Sequence, residues 1–241
     1  MVDVGKLLLV LCLGLMRFAS GHSWGQAAPS AGGSADLQKV ISQLNTAASK
    51  FVSAQADFVW DEYQVAVQDH DVQKGSIYIE RKKGVTRTAA YFTQQNGKDA
   101  HKTVVYDNGE VDYYVPEIKQ ITIMRAGANK GQWESFLTLG FGGGGDELEA
   151  NWKGTLQGPD TIDGVSVAKL DLVPKQQSVR NMFAHVTIWI DPARGISLKQ
   201  IFYEPSGDNR TATYTNIRYN QPIKGDVFHI KPAPGTTKVF K

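Results

Sequence analysis

From Asp36 onward the apolar residues recur at helical spacing. Leu37, Val40, Ile41, Leu44, Ala48 and Phe51 follow the i, i+3, i+4, i+7 rule, while Asp36, Gln38, Lys39, Gln43 and Asn45 fall on the other side. The pattern predicts an amphipathic helix capped by Ser34. Its polar face lacks the Lys and Arg enrichment of a membrane-surface helix, so it is expected to pack on the protein itself. From Ala54 side chains alternate instead, and strands are predicted over residues 54–68, 73–81, 85–92, 101–107, 110–115 and 120–125. Between the fourth and fifth of these, Asn108-Gly109 fits a two-residue type I′ hairpin, which needs positive φ at both positions. Connections this short leave no room for crossover helices, so this half reads as an antiparallel meander.

The alternation stops over residues 130–152. Trp133, Phe136 and Leu137 share one side of a short helical pattern, followed by four consecutive glycines, Gly142, Gly143, Gly144 and Gly145. Such a run serves either as a surface loop or as a hinge that lets an apolar helix open and close over the sheet. Gly140, Gly142 and Gly145 also satisfy G-x-G-x-x-G, but no strand precedes them and no βαβ unit surrounds them, so no dinucleotide site is inferred. Strands resume at 153–157, 165–173, 185–191, 196–203 and 210–219, about eleven in all. In the third of these, Val186, Ile188 and Ile190 face one side and Trp189 the other, so both sheet faces are expected to be covered. The last residues, with Pro232 and Pro234, read as an irregular tail.

Residues 75–81, GSIYIER, stand out. On a strand Ile77, Ile79 and Arg81 share a face, opposite Ser76, Tyr78 and Glu80. Arginine cannot shed its charge, so Arg81 must either reach water at the strand end or find hydrogen-bond acceptors inside.

The chain ends narrow the setting. Lys6, the apolar run at 7–15 and the small residues Ala19, Ser20 and Gly21 have the layout of a secretory signal peptide, with cleavage expected near Gly21. Residues 22–33, rich in Gly, Ala, Ser and Pro, read as a disordered linker, and 34–241 as a single domain. Losing residues 1–21 removes Lys6, Arg17 and Asp3, which takes the formal charge from +2 to +1. That near-neutral total gives no case for nucleic acid. The single cysteine, Cys12, lies in the leader, so no disulfide or thiol chemistry is expected in the mature chain.

No catalytic constellation is apparent. The five histidines lack metal-ligand spacing, and neither a metal nor a cofactor is expected. Asp69-His70-Asp71 reads as a polar turn between strands. Aromatic residues are abundant on the strands, more than one solvated sheet face accounts for, which suits either an ordinary barrel core or a curved sheet around a lipid-sized cavity.

The order of parts, together with GSIYIER, YDNGEVDYYVPEIKQIT, DLVPK and VFHIKPAPGTTKV, resembles the periplasmic outer-membrane lipoprotein carrier (LolA-like) family. The resemblance implies a mainly β fold: an incomplete antiparallel β-barrel of about eleven strands with an N-terminal amphipathic helix and a helical lid. It further implies a monomeric, non-enzymatic periplasmic carrier for acylated lipoprotein or lipid, loaded by an inner-membrane donor complex and unloaded at an outer-membrane acceptor. The family's cavity arginine, which latches the lid, falls on Arg81; Lys82 stands where the family usually has proline. The implied acyl-chain cavity takes Phe58, Trp60, Ile77, Ile79, Tyr113, Ile121, Ile123, Trp133, Phe136 and Leu137, with the glycine run as lid hinge. The alternative is a lipid-binding or envelope-stress sensor domain on the same half-barrel.

Overall fold

The computed structural model describes residues 31–125, 127 and 138–241, with side chains from Ala35 onward. The proposed leader, the linker up to residue 30, and Trp133, Phe136 and Leu137 lie outside the described residues.

Helix α1 (Ala31–Lys50) opens the fold. Ser34 is therefore three residues inside the helix and does not cap it, and the helix begins within the stretch expected to be a linker. Its buried stripe is Val40, Ile41, Leu44 and Ala47. Twelve strands follow: β1 (Ser53–Gln64), β2 (Asp69–Lys82), β3 (Val85–Gln95), β4 (Lys98–Asp107), β5 (Glu110–Val115), β6 (Gln120–Arg125), β7 (Trp152–Ile162), β8 (Val165–Pro174), β9 (His185–Asp191), β10 (Ile196–Tyr203), β11 (Asn209–Tyr219) and β12 (Thr237–Phe240). Helix α2 (Gly145–Asn151) precedes β7, and a single turn, α3 (Gln177–Arg180), follows β8.

All twelve strands form one sheet in the order β12-β6-β5-β4-β3-β2-β1-β11-β10-β9-β8-β7. The sheet is open, since its edges β12 and β7 do not pair, and every pairing is antiparallel except β12 with β6. The tail is thus not wholly irregular: Thr237 to Phe240 add a parallel strand, against the expected eleven. Asn108 and Gly109 take φ of 48° and 87°, as a type I′ turn requires, and Lys83-Gly84, Asn96-Gly97 and Asp163-Gly164 repeat the device. Asp69-His70-Asp71 is the start of β2 and not a turn; His70 Nδ1 sits 2.7 Å from Asp61 Oδ1 across the hairpin.

Helix α1 and α2 pack on one face of β7 to β9, where Ile41, Leu44, Leu148, Leu170, Leu172 and Ile188 form the main core. The same face of the other half carries Tyr106, Val111, Tyr113 and Met124. This is the concave side of the half-barrel.

The convex side is covered as well. Residues 221–233 cross β1 to β5 as a strap: Ser53 Oγ and Tyr91 OH donate to the carbonyls of Gln221 (2.7 Å) and Val227 (2.6 Å), and the amide of Ala233 donates to Tyr114 OH. Phe228 lies under the Arg87 guanidinium, 4.5 Å away. On the other half Trp189 is flanked by the ammoniums of Lys169 and Lys199, 5.0 and 4.9 Å from its ring, and donates to Asp160. Lysine stems, not a second layer, shield it.

Asp112 is half-buried on the strap side, and its Oδ1 has no hydrogen-bond partner among the described residues. Burial and then Glu110 push its carboxyl above the ordinary 3.8, against Lys238 and His229. The folded state thus favours the protonated form. That contribution to stability is present below the ordinary value and is lost as pH rises through the raised one. Asp112→Asn should flatten this dependence and gain on wild type as pH rises above the ordinary carboxylate value in urea unfolding; parallel pH profiles would contradict the assignment.

Candidate functional site

The middle of the concave face is built by β1 and β2. Their register pairs Ala54 with Ile79, Ala56 with Ile77 and Phe58 with Gly75, so alternate residues of both strands share that side. Gly75 is where Phe58 comes closest: a Cβ there would lie 2.0 Å from the Tyr91 carbonyl oxygen and 2.8 Å from the Phe58 ring. Phe58 meets Phe92 edge to face at 5.1 Å, and Trp60 stacks on Phe92 at 6.3 Å. Phe58, Trp60, Ile77 and Ile79 are therefore brought together on one face. Tyr113 faces the same side further along, and burial drives its hydroxyl pKa upward.

Ile121 and Ile123 are not part of this face. They pair with Tyr114 and Asp112 and cluster with Tyr114 and Ile230, under the strap on the convex side. The alternation that puts Thr122 and Met124 inside necessarily puts their neighbours outside. Apolar character alone makes both isoleucines resemble cavity residues; the register of β5 and β6 decides otherwise.

Arg81 does find an acceptor, but in α1. Its Nη1 donates to the Ala48 carbonyl at 3.5 Å, its Nε to Thr86 Oγ1 at 3.5 Å, and its guanidinium lies 5.6 Å from the centre of the Phe51 ring. The last carbonyls of a helix lack intrahelical partners and carry partial negative charge, which suits a cation. Asn220 completes the cap, accepting from the amides of Val52 and Ser53 and donating to the Lys50 carbonyl. Nothing in the sequence marks Asn220, which acts across 170 residues.

The glycine run is held on all sides. The Ser197 amide donates to the Gly140 carbonyl (2.7 Å), the Gly142 amide to that of Gly195 (2.9 Å), and Gln200 Nε2 to that of Leu139 (2.7 Å). Gln200 in turn accepts from Tyr214 OH, whose pKa burial raises. Gly142 has φ +76°, and a Cβ there would enter the Phe51 ring at 2.4 Å; at Gly145 it would stand 2.3 Å from the Ile41 carbonyl oxygen. A Cβ at Gly143 would stand 2.8 Å from the Thr138 carbonyl oxygen, only Gly144 is less confined, and Asn45 ties α1 to α2 through both the amide and the carboxylate of Asp146. Phe51 thus sits between Arg81 and Gly142. The gap lined by Leu44, Gly140, Leu148 and Ile190 encloses about 10 Å³, room for one water.

Among the described residues no group of three or more His, Cys, Asp or Glu could hold a metal, and no helix is long and apolar enough to cross a membrane.

No protein-family model matches the sequence, and no curated protein does. Solved structures do. An uncharacterized conserved protein from Thermus thermophilus aligns over 86% of this chain and 99% of its own, at TM-score 0.54 and 12% identity. MucB aligns over 86% of this chain and 66% of its own, at TM-score 0.53 and 17% identity. A looser likeness, TM-score 0.43 and 10% identity over 78% of this chain and 95% of the other, extends to a putative outer membrane lipoprotein-sorting protein domain from Vibrio parahaemolyticus. With its open twelve-stranded, almost wholly antiparallel sheet and an N-terminal helix packed on the concave face, the chain shares the half-barrel fold of the Thermus thermophilus protein and MucB.

Proposed function

We propose that this protein binds the acyl chains of a lipid or lipoprotein against the concave face of its half-barrel and carries them through the periplasm toward the outer membrane. The observation that carries this reading is the apolar lane of Ala54, Ala56, Phe58, Trp60, Ile77 and Ile79 along the middle of that face. Alanine floors beside large rings give a surface that admits a chain once Phe51 and Phe141, which pack on Ala54 and Ile79, move aside. Burial gains about 0.8 kcal/mol per CH₂, so affinity needs no chemistry, and no enzymatic step is proposed. The leader-like residues 1–21 support export. Native mass spectrometry of the protein purified without detergent from its own envelope tests the reading. Co-purifying acylated species are expected; an empty protein that also ignores added acyl lipids overturns it.

Release needs a counterweight. The bond from Arg81 to Ala48 and the contact with Phe51 favour the closed, empty form, and cargo that displaces Phe51 must break them. Arg81→Leu is therefore expected to hold cargo about five- to tenfold more tightly, from about 1 kcal/mol of lost cation–π and helix-end contact, and to hand it on more slowly. Unchanged dissociation in a transfer assay would remove the latch.

MucB, which shares the fold, has been solved in complex with MucA. A domain that senses lipid or a partner protein is therefore the second reading. A protein partner without acyl cargo in the native spectrum would favour it.

A further inference from the structure

Arg210 lies on β11 with Ala212 and Tyr214 on the concave face, at the end remote from Arg81. Along β1 the two ends are ten residues apart, from Val52 to Glu62, or roughly 33 Å. The Arg210 side chain is only 3% exposed. Its Nη2 stands 2.5 Å from Glu204 Oε1 as an ion pair, but Nε is 3.8 Å from Glu62 Oε2, beyond hydrogen-bond reach. Among the described residues neither Nε nor Nη1 has a hydrogen-bond partner; Glu204 Oε1, in ion-pair contact with Nη2, accepts no well-formed hydrogen bond, and Gln73 Oε1, on the same face of β2, has none either. Buried donors on a permanent cation are costly to leave unmade, so each such group calls for an occupant.

Resting on the acyl-binding reading, we propose that this end of the concave face is a subsite for the head of an acyl chain. The free N–H groups of Arg210 take its neutral ester or amide carbonyl. Charge decides the class: two carboxylates already face one guanidinium, so a further anion is disfavoured and an uncharged acceptor is not. Burial pushes the Glu204 carboxyl up, with Arg210 opposing, as in a site short of positive charge. The lane then has a polar anchor at one end and the Arg81 latch at the other.

The test uses the full chain with three C16 probes: 1-palmitoylglycerol, palmitate and hexadecane. Wild type should prefer 1-palmitoylglycerol over hexadecane by about tenfold or more, as a hydrogen bond to a charged group allows. Arg210→Lys, which keeps the charge and loses the fork, should bring the two within about threefold. If that variant does not fold, the wild-type ¹⁵N spectrum decides: the Arg210 Nε–H resonance should move with 1-palmitoylglycerol and stay with hexadecane. An unmoved resonance, or a preference in the variant as large as in wild type, assigns those donors to internal water and overturns the subsite. Palmitate bound more tightly than 1-palmitoylglycerol overturns the neutral class. Failure of all three probes overturns the acyl-binding reading itself, and the subsite with it.

Discussion

Phe51→Ala should lower the free energy of unfolding by about 4 kcal/mol, within the range for removing a buried aromatic ring. The residue follows α1 directly and clusters with Ala54, Ile79, Phe141 and Ile196. Its ring also meets Arg81, Tyr219 and the backbone of Gly142. These neighbours come from β1, β2, β10, β11 and the glycine segment, so no single element can relax into the gap. Urea unfolding checks it, and a loss under about 1 kcal/mol would mean that the ring is not packed between these elements.

The second large effect separates glycines that look alike in sequence. Gly145→Val should cost about 3 kcal/mol, because the new side chain meets the Ile41 carbonyl oxygen of α1 and main chain cannot step aside as a side chain can. Gly144→Ala should be tolerated to within about 1 kcal/mol: its φ is −77°, and the nearest atom, Asn45 Oδ1, is 3.2 Å from the added Cβ. Thermal unfolding of the pair checks this. Equal, small costs at both positions would restore the picture of four interchangeable flexible residues.

The secondary structure is largely legible in the sequence because alternation and turn chemistry act locally. Asn108-Gly109 announces its hairpin, and Asn96-Gly97 and Asp163-Gly164 carry the same signal. GSIYIER places Ile77, Ile79 and Arg81 on one face without any partner strand in view. What cannot be read there depends on distant chain. The partner of Arg81 is set by how α1 crosses the sheet, and Asn220 caps that helix from the far end of β11. Ile121 and Ile123 fall on the other face because an apolar residue is equally at home under the convex strap, which composition alone does not announce. The β12 strand escapes sequence reading since four residues that follow prolines and a glycine have almost no pattern of their own and acquire one only beside β6.

Photo-crosslinking with a palmitoyl chain bearing a terminal diazirine, followed by peptide mapping, tests most directly whether acyl chains lie on the concave face. Adducts are expected on Ala56, Phe58, Trp60, Ile77 or Ile79, and should decline when unlabelled 1-palmitoylglycerol competes. Adducts confined to Tyr78, Ile121, Ile123 or the strap at 221–233 would contradict the account.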